Sequence, residues 1–295
     1  MGKWRTEARF VGMAVDAGVA RVTLDHPARR NALSWDMLVE LRAALLEADD
    51  LRAVHVIVLE GAGPDFCAGY DMQSAYARYA SESAGEGGAD VYRSGSGSFD
   101  DDAWKLERFQ ELLRTPFTLH KPVIAKVHGH CVAGGTDLAL YCDMVIAADD
   151  ARIGFPATRA MGSPPNHMWF YNVGPQWAKR LLLSGDVVSG ADAARIGLAV
   201  ASAPATSLEE EVMTLARRLA TIDAELLATN KRIVNIALEL AGAGTIARLA
   251  AEMDGRAHLS RAKREFDADV AAMGFKAAAR RRDEPFGDGT VRPSW

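Results

Sequence analysis

Gly61-Ala62-Gly63-Pro64-Asp65-Phe66-Cys67-Ala68-Gly69-Tyr70-Asp71-Met72 decides how this chain is read. Before it runs Ala53-Val54-His55-Val56-Ile57-Val58-Leu59, an apolar and largely β-branched stretch suited to a buried strand. Some sixty residues on, residues 122–128 form a second such strand. It leads into His128-Gly129-His130-Cys131-Val132-Ala133-Gly134-Gly135-Thr136-Asp137. Both glycine turns follow a β-like run and open a helix, and a helix start leaves backbone N–H groups unpaired. Brought together, two such turns would hold one oxyanion between two N–H donors. The pattern therefore points to an enzyme that stabilises an enolate or a tetrahedral oxyanion.

Working outward, residues 9–16 and 19–25 predict a hairpin across Asp16-Ala17-Gly18. Trp35, Leu38, Leu41, Leu45 and Ala48 share one helical face, with Ser34 as N-cap, so residues 35–49 predict an amphipathic helix. After Met72 the periodicity dissolves. Residues 80–102, rich in Ser, Gly, Ala and Asp, predict a flexible loop or lid. A helix is expected from about Ala103 to before Pro116, another over 134–141, and a third strand at Met144–Ala148. From Gln176 the chain reads as mostly helical, with helices near 208–220, 222–240, 244–255 and 259–280. Ser189 with Asp192 and Ser207 with Glu210 mark capping-type starts. The expected division is an α/β core over 1–200 and a helical region over 201–295.

Composition bounds the function. Apolar residues make up 49% and charged residues 25% of the 295, and the formal charge is −5. These values suit a globular chain and give no basic field for nucleic acid. The N-terminus lacks the apolar stretch of a secretory signal, and no apolar run approaches the roughly 18 residues of a membrane helix. The expectation is a cytoplasmic protein with no membrane partner. Cys67, Cys131 and Cys142 are odd in number and lack metal-ligand spacing, so they read as small buried thiols, and no metal is expected. Gly61-Ala62-Gly63 falls short of a dinucleotide fingerprint because Phe66 stands at the third glycine. Arg280-Arg281-Arg282 reads as a solvated helix end.

Several of these stretches resemble the crotonase (enoyl-CoA hydratase/isomerase) superfamily. They are Arg30-Asn31-Ala32-Leu33-Ser34, Phe66 to Asp71, Ala133 to Leu138, Ala178 to Asp186, Ala194 to Ala199, and Gly274-Phe275-Lys276 through Pro285-Phe286-Gly287. The resemblance implies an α/β, crotonase-like spiral of ββα units with a C-terminal helical region. That region would serve trimerisation and site closure, in a homotrimer or dimer of trimers. It implies an acyl-CoA thioester substrate, with CoA part of the substrate and no separate cofactor. Tyr70 and Gly134 would hold the thioester oxygen through their N–H groups, leaving the Tyr70 side chain free to vary, and Asp137 would act as acid/base. The substrate and its CoA would lie against Arg30, Ala32, Ala68, Gly69, Asp71, Met72, His130 and Gly135. Trp169, Phe170 and Tyr171 are candidates for an apolar acyl pocket.

One departure stands out. Where the family places a second acid after a proline, this chain reads Phe155-Pro156-Ala157-Thr158, and neither Ala157 nor Thr158 exchanges protons near neutral pH. His128, His130 and His167 lie near the relevant turns, either as structural imidazoles or as substitutes. Hydration of a 2-enoyl-CoA is the leading expectation. Isomerisation, hydrolysis of a CoA thioester or C–C bond, and acyl-CoA binding without turnover are the alternatives.

Overall fold

The structure is a computed structural model that describes residues 2–6, 8–81, 93 and 98–293. The chain opens with a hairpin, β1 (Val11–Asp16) and β2 (Val19–Leu24), paired antiparallel with Asp16 opposite Val19. A two-residue turn of this kind needs left-handed backbone, and Ala17 and Gly18 supply φ of 45° and 81°. Helix α1 (Trp35–Asp50) follows, and the Ser34 side chain accepts from the Met37 N–H as anticipated. Its buried face is Met37, Leu38, Leu41, Ala44, Leu45 and Ala48. Trp35 departs from the expected stripe: it is 42% exposed and meets Phe109 edge-on at 5.2 Å. At the first helical position it precedes the turn that faces the sheet.

The remaining strands are β3 (Val56–Gly61), β4 (Val123–Val127), β5 (His130–Val132), β6 (Met144–Ala148), β7 (Arg152–Gly154), β8 (Val187–Ser189), β9 (Ala201–Ala203) and β10 (Thr290–Val291). They form two mixed sheets, one ordered β1-β2-β3-β4-β6-β9 and the other β10-β8-β7-β5. Val56 to Leu59 and Val123 to Ala125 are fully buried, as expected of parallel strands covered on both faces. Glu60, buried in β3, is matched by Arg21 at 2.9 Å and by Lys126.

Helices α2 (Met72–Ser81), α3 (Phe99–Leu113), α4 (Thr115–Thr118), α5 (Gly134–Leu140), α6 (Met168–Ser184) and α7 (Gly190–Ile196) lie between strands. A repeating unit emerges: a strand of the large sheet, a short strand of the small sheet, then a helix. β4, β5 and α5 make one such unit, and β6, β7 and α6 another. β3 continues to Cys67, which bridges Cys131 of β5 in parallel, and then to α2. This is the expected spiral of ββα units. The helix at Met72 corrects the expectation that regular structure ends there. The expected lid over 80–102 falls mostly outside the described residues, and its last part is helical, because α3 starts at Phe99 on a Ser98 cap.

The C-terminal third carries α8 (Leu208–Ala220), α9 (Ala224–Leu240), α10 (Ala243–His258), α11 (Arg261–Met273) and α12 (Phe275–Asp283). The single helix expected over 259–280 is broken at Gly274, whose φ of 83° no helix accepts. Ser189 caps α7 through the Asp192 N–H at 3.0 Å. Ser207 does not cap α8; its hydroxyl donates instead to the Pro204 carbonyl. β9 and β10 join the two sheets, so residues 201–295 are not purely helical. Arg281 and Arg282 of the basic run pair with Asp269 and Asp283 at 2.7 and 2.8 Å.

Candidate active site

The two glycine turns are placed side by side by backbone pairing. Phe66 N–H donates to the His128 carbonyl at 2.9 Å, Cys67 N–H to His130 at 2.9 Å, and Val132 N–H to Cys67 at 3.1 Å. Cys67 and Cys131 are thus opposite one another, and Tyr70 and Gly134 each lie three residues further on. Equal offsets from a paired position bring the two residues together. A third segment fixes the first turn, with Leu33 N–H bonded to Gly69 O at 2.7 Å and Asp71 N–H to Leu33 O at 3.0 Å. Among the described residues, neither the Tyr70 N–H nor the Gly134 N–H donates to a backbone carbonyl.

Close packing explains the glycines. A Cβ at Gly135 would lie 2.6 Å from the Cys67 carbonyl oxygen, and one at Gly134 would lie 3.0 Å from the Tyr70 ring. Ala133, between them and β5, is held at φ 50° and ψ −122°, a costly conformation for a residue with a Cβ. Its N–H is tied to Gly154 O at 3.0 Å.

One turn into α5 sits Asp137, fully buried. Its Oδ2 accepts from the Tyr70 hydroxyl at 2.8 Å, and its Oδ1 accepts from Asn166 Nδ2 at 2.7 Å. Gln110 Nε2 in turn donates to the Tyr70 oxygen at 3.3 Å. Burial pushes the Asp137 carboxyl well above its ordinary range; the Tyr70 bond pulls it back only in part, and the charge of Asp254 pushes the same way as burial. Burial likewise holds the Tyr70 phenol in its neutral form. The Tyr70 side chain is therefore not free to vary: it is Asp137's contact with the cavity.

That cavity has a volume of about 870 Å³. Tyr70, Met72, Phe155 and Ala157 line it, together with residues of α3, α10 and α11. Ala157, at the place of the missing acid, faces this space. Asp102, Asp254 and His258 face it too, and the sequence reading missed all three. An i, i+4 acid–histidine pair on α10 was their visible signal.

The other candidates are placed as follows. Arg30, itself at φ 53°, binds Asp65 through Nε at 2.7 Å and Nη2 at 3.1 Å, and Asp65 also accepts from the His130 N–H and faces the His130 ring at 2.8 Å. Despite burial, these partners hold the Asp65 carboxyl well below its usual range. Ala32 and Ala68 belong to the same clamp: Ala68 N–H donates to Arg30 O at 2.9 Å. Asp71 accepts from Arg29 at 2.5 Å and from the Ser74 hydroxyl at 2.6 Å. His128 Nε2 lies 2.9 Å from Gly63 O, and burial lowers the His167 pKa. None of the three histidines lines the cavity. Nor do the expected aromatics: Trp169 is fully buried in the core, Phe170 is exposed, and the Tyr171 hydroxyl donates to Ala241 O. All three cysteines are buried and free, and burial pushes the Cys67 thiol up to about 12. Among the described residues no group of acids, histidines and cysteines is arranged to hold a metal ion.

Residues 14–93 and 83–288 match the family model described as enoyl-CoA hydratase/isomerase. The chain belongs to the enoyl-CoA hydratase/isomerase (crotonase) superfamily. Crotonase-family relatives include a putative enoyl-CoA hydratase, EchA13, of Mycobacterium tuberculosis, 32% identical over 77% of this chain and 73% of that protein. A putative enoyl-CoA hydratase of Thermus thermophilus is 35% identical over 68% of this chain and 74% of that one. A crystal structure of enoyl-CoA hydratase from Mycobacterium smegmatis superposes with a TM-score of 0.86 at 35% identity, covering 96% of each chain. Membership of the crotonase superfamily implies an acyl-CoA substrate for this enzyme.

Proposed function

We propose that this enzyme adds water to a 2-enoyl-CoA thioester. The observation that carries the reading is the placement of two backbone N–H groups, of Tyr70 and Gly134, at equal offsets from the Cys67–Cys131 bridge. The thioester oxygen would lie between them. As Cβ is attacked, that oxygen gains charge, and each fixed donor contributes about 3–4 kcal/mol in a dry site. Burial favours the protonated form of Asp137, and the hydrogen-bonded Asp137–Tyr70 pair would deliver a proton to Cα from the Tyr70 hydroxyl, which Asp137 then reprotonates. The names of the relatives, enoyl-CoA hydratases among them, support the same reaction.

Ala157 favours a second reading, isomerisation, because a 1,3-proton shift along the acyl chain needs only one acid/base group. Short- and medium-chain 2-enoyl- and 3-enoyl-CoA esters, offered to wild type and Tyr70→Phe, separate the two. Hydration predicts a 3-hydroxyacyl-CoA product and a kcat about 100-fold lower in the variant, which keeps the amide but loses the relay. Conversion of 3-enoyl to 2-enoyl ester without water uptake would replace hydration with isomerisation.

Self-association as a trimer or dimer of trimers is part of the same proposal. It is supported by the exposed apolar side chains Leu226, Ile233, Ile236 and Leu240 on α9. Light scattering of the purified chain tests it, and a monomer at micromolar concentration would reject it.

A further inference from the structure

The cavity is also lined by a cluster of ionisable groups on α3 and α10, apart from the oxyanion turns. Asp254, on α10, is 6% exposed and lines the cavity. Its Oδ1 accepts from the Ser163 N–H at 2.8 Å and lies 3.6 Å from His258 Nε2. Its Oδ2 bonds no other described group. The other ring nitrogen of His258, Nδ1, meets Asp102 Oδ2 of α3 at 2.6 Å. Gly162 makes the arrangement possible: a Cβ there would lie 2.2 Å from Asp254 Oδ1. A glycine at negative φ is required for that space alone. Helix α10 and the loop over 161–163 thus meet at one carboxylate, which α3 reaches through His258 and which lines the same cavity as Ala157.

We propose that Asp254 is the second acid–base group of this site, supplying from α10 the carboxylate that position 157 lacks, with His258 and Asp102 as positioning residues. The inference rests on the hydratase reading above. In the addition, the water oxygen bonds to Cβ while one of its protons passes to the Asp254 carboxylate. The π pair of the C=C bond moves through Cα onto the thioester oxygen. When that enolate collapses, Cα takes a proton from the Asp137–Tyr70 pair. The proton on Asp254 leaves to solvent and one returns to Asp137. Each turnover therefore consumes one water and leaves the enzyme unchanged.

The electrostatics suit the task. Burial pushes the Asp254 carboxyl up to about 6, restrained by the His258 charge and the Ser163 N–H. At neutral pH it is mostly ionised yet close enough to its pKa to exchange protons. Burial also opposes the His258 imidazolium, but Asp102 and Asp254 outweigh it and raise the ring above its ordinary range. The other charged groups around Asp254 are Lys105 on α3, which lies 3.3 Å from Asp102, and Lys263 and Asp267 on α11, paired at 2.5 Å. Across the cavity stand Tyr70 and, behind it, Asp137, and both feel the Asp254 charge.

The test is steady-state hydration of a 2-enoyl-CoA by the full chain from pH 5 to 9. Wild type should lose kcat/KM as pH falls through about 6. Asp254→Asn should lower kcat by about 100-fold or more, with KM within about 3-fold, and should lose that acid limb. Gly162→Ala, which displaces the carboxylate without removing it, should lower kcat in the same direction. His258→Gln should move the acid limb to higher pH, because the lost cation no longer favours the ionised carboxylate; a purely structural histidine would leave it in place. Asp254→Asn with wild-type kcat and an unchanged acid limb overturns the proposal. If that variant does not fold, an unmoved limb in His258→Gln overturns it instead. Wild type that hydrates no 2-enoyl-CoA overturns the hydratase reading and this inference with it. Hydration by wild type that proceeds at the same kcat and with the same acid limb in Asp254→Asn overturns this inference alone.

Discussion

The two walls of the cavity are built in opposite ways. On the Tyr70 side, the two oxyanion donors are set by main chain: the Cys67–Cys131 bridge, the Leu33 strand and the first turn of α5. On the Asp254 side, position is set by side chains: a carboxylate on α10, a histidine one turn on, an aspartate on α3 and the gap at Gly162. The first wall keeps its donors wherever the sheets form, and substitutions there act through backbone fit. The second depends on α3 and α10 packing along each other, and single side-chain changes reach it directly. A fixed wall suits an oxyanion site, whose geometry must not move. An adjustable wall is where acid–base groups can be exchanged without disturbing the fold.

Asp137→Asn tests the fixed wall most severely. An amide keeps an acceptor for Asn166 and can donate to the Tyr70 oxygen, so the change removes the exchangeable proton while sparing the contacts. The expected result is a kcat lower by 10²–10⁴-fold, read from turnover of a 2-enoyl-CoA. Stability, read from urea midpoints, should change by no more than about 1 kcal/mol. Turnover equal to wild type would remove Asp137 from the reaction and leave the two amides as that wall's only contribution.

On the adjustable wall the corresponding effect depends on pH. Unfolded, the Asp254 carboxyl titrates near its ordinary 3.8; folded, it titrates at about 6. The folded chain holds that proton more tightly, so the carboxyl's contribution to stability is full below about pH 4 and is lost as pH rises through about 6. Over that window wild type should lose on the order of 2–3 kcal/mol relative to Asp254→Asn, which has no proton to release there. Urea midpoints of the two proteins at pH 4.5 and 7.5 measure the difference. A gap that does not change with pH would mean that the carboxyl is no more buried than an ordinary surface acid.

The same contrast explains what could be read in the chain. The fixed wall was legible because its signals are local: glycine next to a β-branched run, twice, at matching offsets. The Ser34 and Ser189 caps and β6 are equally local, and they fall where the residues place them. Tyr70 was only half legible, since its amide belongs to the turn but its hydroxyl finds Asp137 67 positions away. The Asp254 wall was barely legible because its groups come from three separated segments, and its one local signal, the i, i+4 spacing of Asp254 and His258, resembles the polar face of any solvated helix. Gly162 gave no hint either, since its need is a tertiary contact and not a backbone angle. Ser207 failed as a cap for a related reason: its backbone sits at φ −115° and ψ 0°, outside the extended conformation that aims a cap side chain at the helix.

Gly135→Ala examines the fixed wall without touching an ionisable group. The new methyl would meet the Cys67 carbonyl at 2.6 Å and the Cys67 Cβ at 3.0 Å, and both belong to the bridge that pairs the turns. The backbone cannot yield there without separating Tyr70 from Gly134. The expected cost is about 1–3 kcal/mol of stability. Activity should fall further than stability does, which thermal melts and kcat measured on the same preparation would show. A stable variant with full kcat would mean that the two turns need not be in this register.

Arg30→Gln carries the smallest expected effect and tests how far the fixed wall extends toward the CoA moiety. The Arg30 side chain is 49% exposed even though it pairs with Asp65, so part of the guanidinium remains open to an anionic ligand. Asp65 keeps the His130 N–H at 2.9 Å and the His130 ring at 2.8 Å after the change, so the turn should hold its shape. If the open face meets CoA phosphates, KM for an acyl-CoA should rise about 3–10-fold at low salt with kcat unchanged, in keeping with the roughly 1 kcal/mol of an exposed ion pair. The difference from wild type should shrink as ionic strength approaches 0.5 M, where the Debye length falls to about 4 Å. A KM equal to wild type at low salt would confine Arg30 to bracing Asp65. The CoA phosphates would then have to be held by other cations.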